Sequence, residues 1–133
     1  MELHVKAVEA NGVPVMDNVG KSDPYLVLKL STTSQTWKTK WIKNTYDPVW
    51  NQEFHLPITS GLTDELTIEC WDHDVGKDDF ICSMKFTVKD LPVGVVTDQW
   101  YQFQGKKGIT NPGKYRIVLH LAKSGAAPFV TTK

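Results

Sequence analysis

Apolar and polar residues alternate along most of this chain, and that period of two constrains the fold more than any other feature of the sequence. Leu3, Val5 and Ala7 interleave with His4 and Lys6; Leu66, Ile68 and Cys70 with Glu65, Thr67 and Glu69; Tyr115, Ile117, Leu119 and Leu121 with Arg116, Val118 and His120. Successive side chains of a strand point to opposite faces, so such a pattern marks strands with one face on a core. It predicts strands at about 2–9, 24–30, 36–42, 50–56, 65–71, 79–87, 99–104 and 114–122. Turn signals separate them: Asn11-Gly12, Asn18 to Gly20, Asp47-Pro48, Ser60-Gly61 and Asn111-Pro112-Gly113. No window has helical spacing with caps, and at most a short turn occupies 88–92. About eight strands with turn-rich links argue a β-sandwich or barrel.

At 133 residues the chain is long enough for one domain with a sizeable core. After Ala122 the composition turns to Ser-Gly-Ala-Ala-Pro, which sets a domain at 1–123 and a tail or linker at 124–133, a place for protein partners. Lys+Arg and Asp+Glu number 15 each, so no net field argues for nucleic acid. Cys70 and Cys82 lack metal-type spacing, and Cys70 shares the apolar face of its strand, as a buried thiol and not a disulfide half. The start of the sequence does not read as a secretory-type leader, so none is expected, and no apolar run nears the roughly 20 residues of a membrane helix, so membrane contact is expected to be peripheral. His4, His55 and His120 fall on different strands without a partner signature and read as ordinary strand residues.

The distribution of charge says more than its sum. Six of the 15 acids, Asp17, Asp23, Asp72, Asp74, Asp78 and Asp79, fall in two links between strands. Like charges at about 4 Å repel by about 1 kcal/mol even in water, and a hard divalent cation offsets this. Apart from His73, these segments offer oxygen donors, which suits calcium with its six to eight oxygen ligands better than zinc or copper. An EF-hand does not fit: counting from Asp72, the sixth position is Lys77 and not Gly, the twelfth is Ser83 and not Glu, and strands flank the loop.

Three segments carry a resemblance to a known family. Val15-Met-Asp17-Asn-Val-Gly-Lys-Ser-Asp23-Pro-Tyr25, Asn44-Thr-Tyr-Asp-Pro48-Val-Trp50-Asn51-Gln-Glu-Phe54 and Trp71-Asp72-His-Asp74-Val-Gly-Lys-Asp-Asp79-Phe-Ile81 resemble the C2 domain, in its order, over about residues 2–122. The resemblance implies an all-β fold, an eight-stranded antiparallel Greek-key sandwich with metal loops at one end. With Ser-Asp-Pro-Tyr after the first strand and a further strand at 114–122, the order resembles the type II, phospholipase-like permutation. The family's five aspartates correspond to Asp17, Asp23, Asp72, Asp74 and Asp79, with Asp78 as an alternate for Asp79 because the third loop is one residue short. Backbone carbonyls of Met16 and His73 would add ligands, for two or three calcium ions in all.

What the resemblance implies for function is calcium-dependent binding to anionic phospholipid, phosphatidylserine above all, by a cytoplasmic protein recruited to the inner face of the plasma membrane or to other membranes. Val19 and Val75 would stand at the loop tips. The segment Trp37-Lys38-Thr-Lys40-Trp41-Ile-Lys43 resembles the lysine-rich cluster of protein kinase C-type members, which implies a phosphoinositide site at Tyr25, Lys29, Lys38, Lys40 and Trp71, with Val27 where a lysine is usual. Trp50 and Phe54 are expected in the core, and Asn51 to fasten a turn. An enzyme is not expected, since no nucleophile elbow, phosphate-cradling glycine loop or metalloprotease helix is present. A calcium-independent protein-interaction module is the alternative, and loss of aspartates would mark it.

Overall fold

The structure, a computed structural model, describes residues 1–16, 21–59, 64–123 and 125–129. Within them the strands are β1 (Glu2–Asn11), β2 (Pro24–Leu30), β3 (Thr36–Lys38), β4 (Val49–Pro57), β5 (Glu65–Asp72), β6 (Asp79–Thr87), β7 (Val96–Gln102), β8 (Gln104–Gly105) and β9 (Lys114–Ala122). A single 3-10 turn, Val88–Asp90, is the only helical element among the described residues, so none of them forms a helix able to cross a membrane. One sheet has the order β4-β1-β9-β7 and the other β3-β2-β5-β6-β8, with neighbouring strands antiparallel throughout.

The inward faces are the ones the alternation predicts. Leu3, Val5, Ala7, Ile117, Leu119 and Leu121 from one sheet meet Leu26, Leu28, Leu66, Ile68 and Cys70 from the other in one buried cluster. Tyr115 and Phe103 stack in it with centroids 4.3 Å apart, and the Tyr115 hydroxyl donates to the Pro112 carbonyl at 2.8 Å. Both cysteines are buried free thiols; they oppose each other in the β5–β6 ladder. The strand at 114–122 lies antiparallel beside β1, Glu2 against Ala122, as the permuted order requires.

Three details depart from the alternation pattern. The strand expected over 36–42 stops at Lys38, because the Thr39 hydroxyl accepts the Leu26 N–H at 2.9 Å in place of a backbone carbonyl. Phe103 turns inward to full burial and divides the stretch 99–104 between β7 and the two-residue β8, which makes nine strands where eight were expected. Asn51 fastens no turn. It sits within β4 at φ 49° where the β1–β4 register shifts, a left-handed conformation that Asn tolerates better than most residues.

Ile68 is fully buried in the middle of β5. Ile68→Ala is expected to destabilise the domain by about 2–5 kcal/mol, seen as a lower urea midpoint at unchanged slope.

Candidate functional site

Register brings the two acidic segments together. Pro24 at the start of β2 pairs with Asp72 at the end of β5, and Asp72 pairs with Asp79 at the start of β6. Asp23 precedes a proline, which favours the extended entry into β2 seen here. Its backbone ties the segments: the Asp23 N–H donates to Asp72 Oδ1 at 2.8 Å, and the Asp23 carbonyl accepts the His73 N–H at 3.0 Å. Asp72 is only 4% exposed, so its carboxylate is held where the sandwich opens and not free to swing into solvent.

The segment after β3 braces the first loop from the other side. Asn44, at φ 55°, accepts the Lys21 N–H on its Oδ1 at 2.9 Å and donates its own N–H to Asp23 Oδ1 at 2.6 Å. Thr45 N–H donates to the Ser22 carbonyl at 2.9 Å, and the buried Ser22 hydroxyl to the Pro14 carbonyl at 2.6 Å. Asn44 and Ser22 are positioning residues whose role no local pattern announces, although both lie inside the motifs quoted above.

Asp78 and Asp79 are adjacent in sequence but differently placed. Asp78 Oδ2 accepts the Tyr25 hydroxyl, while Oδ1 accepts the Asp74 N–H at 3.0 Å and stands 3.4 Å from His73 Nδ1. Burial pushes the Asp78 carboxyl up, but the Tyr25 and Asp74 hydrogen bonds and the nearby His73 outweigh it and hold the group below the ordinary carboxylate range. Burial, and then the hydrogen bond to Asp78, push the Tyr25 hydroxyl well above its usual value. Asp79 instead stands beside Asp72 in the ladder. Val75, between Asp74 and Gly76, is 97% exposed, as a tip residue should be. His73 turns its ring against Trp41, stacked at 4.5 Å and 14°.

Of the expected lipid-contacting residues, Tyr25, Lys29, Lys38 and Trp71 line one groove of about 270 Å³, together with Val27, Thr36, Glu69 and Asp78. A second groove, with Trp41 and His73, adjoins it through Tyr25, Lys38 and Asp78. Lys40 lines neither; its N–H donates to Gln52 Oε1 at 2.6 Å. Glu69 was not foreseen, and it matters: it pairs with Lys29 at 3.0 Å and accepts the Trp71 indole N–H at 3.1 Å. Two lysines thus face two carboxylates across the groove, and their formal charges cancel.

Asp17 and Val19 lie outside the described residues, and Met16 is the last residue before them. Among the described residues the loop aspartates do not gather three ligand atoms within 4.8 Å. Their donor chemistry still fits a hard cation: all are carboxylates, and Asp72 and Asp79 pair at one end of the sandwich, with Asp23 and Asp74 in the adjoining segments. A carboxylate has about four lone-pair sites, so one hydrogen bond does not exhaust it.

Tyr25→Phe is expected to cost about 1–3 kcal/mol by stripping Asp78 of a buried donor. It should also speed hydrogen exchange at the Asp74 amide, which Asp78 holds; an unchanged Asp74 exchange rate would count against this brace.

The family model for the C2 domain matches residues 1–103. The chain is 33% identical over 105 residues, 79% of its length, to "Synaptotagmin-5" of Arabidopsis thaliana. It is 35% identical over 97 residues, 73% of its length, to the "Calcium-dependent lipid-binding protein" of the same plant. It spans only 19% of each of these relatives. Among solved structures, a single C2 domain of plant extended synaptotagmin 1 superposes with a TM-score of 0.81 at 25% identity, covering 90% of this chain and 92% of that one. The calcium-bound pair of C2 domains of extended synaptotagmin 2 gives 0.78 at 26% identity, covering 90% and 44%. Motif order, sheet topology and a match over 103 of 133 residues lead to one conclusion: the chain belongs to the C2 domain family.

Proposed function

We propose that this domain docks peripherally on anionic phospholipid membranes and that calcium controls the docking. The observation that carries the reading is the β2–β5–β6 register, which sets Asp23, Asp72 and Asp79 side by side with Asp74 just beyond them. Those four, with Asp17 and the carbonyls of Met16 and His73, form the ligand set. Asp78 is a brace, because Tyr25, Asp74 and His73 already occupy both its oxygens. A relative named for calcium-dependent lipid binding and a solved relative with calcium bound support the assignment.

Protein oxygens alone leave calcium short of its six to eight ligands, and lipid phosphates or carboxylates complete the shell. Bound calcium also reverses the sign of the loop surface, which acts within a Debye length, about 8 Å at physiological salt. Phosphatidylserine is the chief target, and its concentration in cytoplasmic leaflets places the domain there. By linkage, lipid must raise calcium affinity by the factor with which calcium raises lipid affinity. Val19 and Val75 at the tips add a small apolar contact. The alternative, a calcium-independent protein module, is disfavoured because all five aspartates are retained.

Cosedimentation with phosphatidylserine vesicles should require calcium and vanish with chelator; equal binding in both would overturn the calcium control, and binding in neither would overturn the reading in favour of the protein module. Calcium at a hundredfold its Kd stabilises the fold by about 2.7 kcal/mol, roughly a 10 °C rise in Tm. Asp74→Asn, a change at an exposed position, should lower that gain while leaving the calcium-free Tm as it is.

The groove gives a second, phosphoinositide-binding reading, supported by the convergence of Tyr25, Lys29, Lys38 and Trp71. Its balanced charge makes it the weaker of the two sites until calcium, or loss of Glu69, tips the field. Lys38→Ala should reduce affinity for phosphatidylinositol bisphosphate vesicles and Glu69→Gln should raise it, with calcium affinity in lipid-free solution unchanged.

A further inference from the structure

The histidines that look unrelated in sequence stand in a row. On the outer face of the four-stranded sheet His4 pairs with His55 of β4 on one side and with His120 of β9 on the other. Ring centroids are 4.5 Å apart for His4–His55 and 5.3 Å for His4–His120. Glu2, two residues before His4 and so on the same face, brings Oε1 to 3.0 Å from His4 Nε2. One ligand atom from each of Glu2, His4 and His55 lies within 4.8 Å of the other two. We propose that Glu2, His4 and His55 form a binding site for a divalent cation of the zinc class, separate from the aspartate loops.

Donor chemistry sets the class. Two imidazoles and a carboxylate suit zinc, which calcium-type oxygen sites do not, and three ligands leave a position for water. Zinc–nitrogen bonds of about 2.0–2.1 Å in a tetrahedron put ligand atoms roughly 3.4 Å apart. Closure therefore asks a movement of about an ångström, and exposed His55 and half-buried Glu2 are placed to supply it. His4 is the fixed member, fully buried between its two neighbours and edged by the Phe129 ring at 6.0 Å. Its Nδ1 has no partner among the described residues, so the buried ring has a nitrogen still to satisfy.

The surroundings agree in sign. Glu2 supplies the carboxylate of the set, in contact with His4. His120 Nδ1 already accepts the Phe129 N–H at 2.9 Å, which leaves the ligand set to the other three residues. In the next row Lys6 is opposed by Glu53 across the β1–β4 ladder. Seven residues of β1 separate His4 from the loop end at Asn11, about 23 Å at 3.3 Å per residue.

The test is calorimetric titration of the tag-free chain with zinc chloride, in buffer holding excess calcium, with histidine ring signals followed by NMR. One zinc per chain is expected, with shifts concentrated at His4 and His55. His55→Ala and Glu2→Gln, both on accessible side chains, should each weaken binding by more than about tenfold, since removing even an outer partner of a ligand costs 10–100-fold. Asp74→Asn should leave zinc binding unchanged. The proposal fails if no stoichiometric zinc binds, if both ligand variants bind as the parent does, or if Asp74→Asn abolishes binding.

Discussion

The ladder between β2 and β5 is the constraint on which the site depends. From Pro24 opposite Asp72 to Leu30 opposite Leu66 it runs without a shift. Its inward residues, Leu26, Leu28, Leu66, Ile68 and Cys70, are almost wholly removed from water. A slip of one residue would turn all of them outward, so burial locks the register with the free energy of the whole core face. The end of that ladder is where Asp23, Asp72 and Asp79 meet. Placement of the acidic residues is thus a by-product of hydrophobic packing, and the local hydrogen bonds of Asp23 and Asn44 only trim it.

Electrostatics separates the surfaces of the domain into different kinds. The loop end carries the acidic segments, with Asp72 and Asp79 side by side. The groove below it holds two lysines and two acids, with Lys29 paired to Glu69 directly, so its formal charges cancel. Tyr25 and Asp78 belong to both regions, since the groove they line is walled by the residue that braces the third loop. The brace of the third loop and the wall of the groove are thus one hydroxyl–carboxylate contact.

Much of this was legible in the sequence. Period-two alternation located the strands and the inward residues of β1, β2, β5 and β9, because burial on one face leaves a direct trace in residue order. The motifs located Asp23, Asp72, Asp74 and Asp79 as a group, and the structure sets them at one end. What escaped depended on partners distant in the chain. Thr39 replaces a carbonyl in the β2 ladder, which no propensity of the segment 36–42 announces. Glu69 reads as an ordinary outward strand residue until Lys29 is seen beside it. His4, His55 and His120 carry no local spacing at all; only the β4–β1–β9 register aligns them. Asp78 and Asp79 are neighbours in one loop, and what separates them is which of the two Tyr25 reaches.

The antiparallel pairing of Glu2 with Ala122 gives the domain a polarity. The two ends of the folded unit lie side by side, on the side facing away from the aspartate loops. The end where Glu2 and Ala122 pair lies about the length of β1, ten residues or roughly 33 Å, from the aspartate loops. The sandwich is a spacer of fixed height between that end and the loops, because its strands run the whole distance. Beyond Ala122 the chain does not leave at once, because Phe129 returns to His4 and His120 on the outer face of the same sheet.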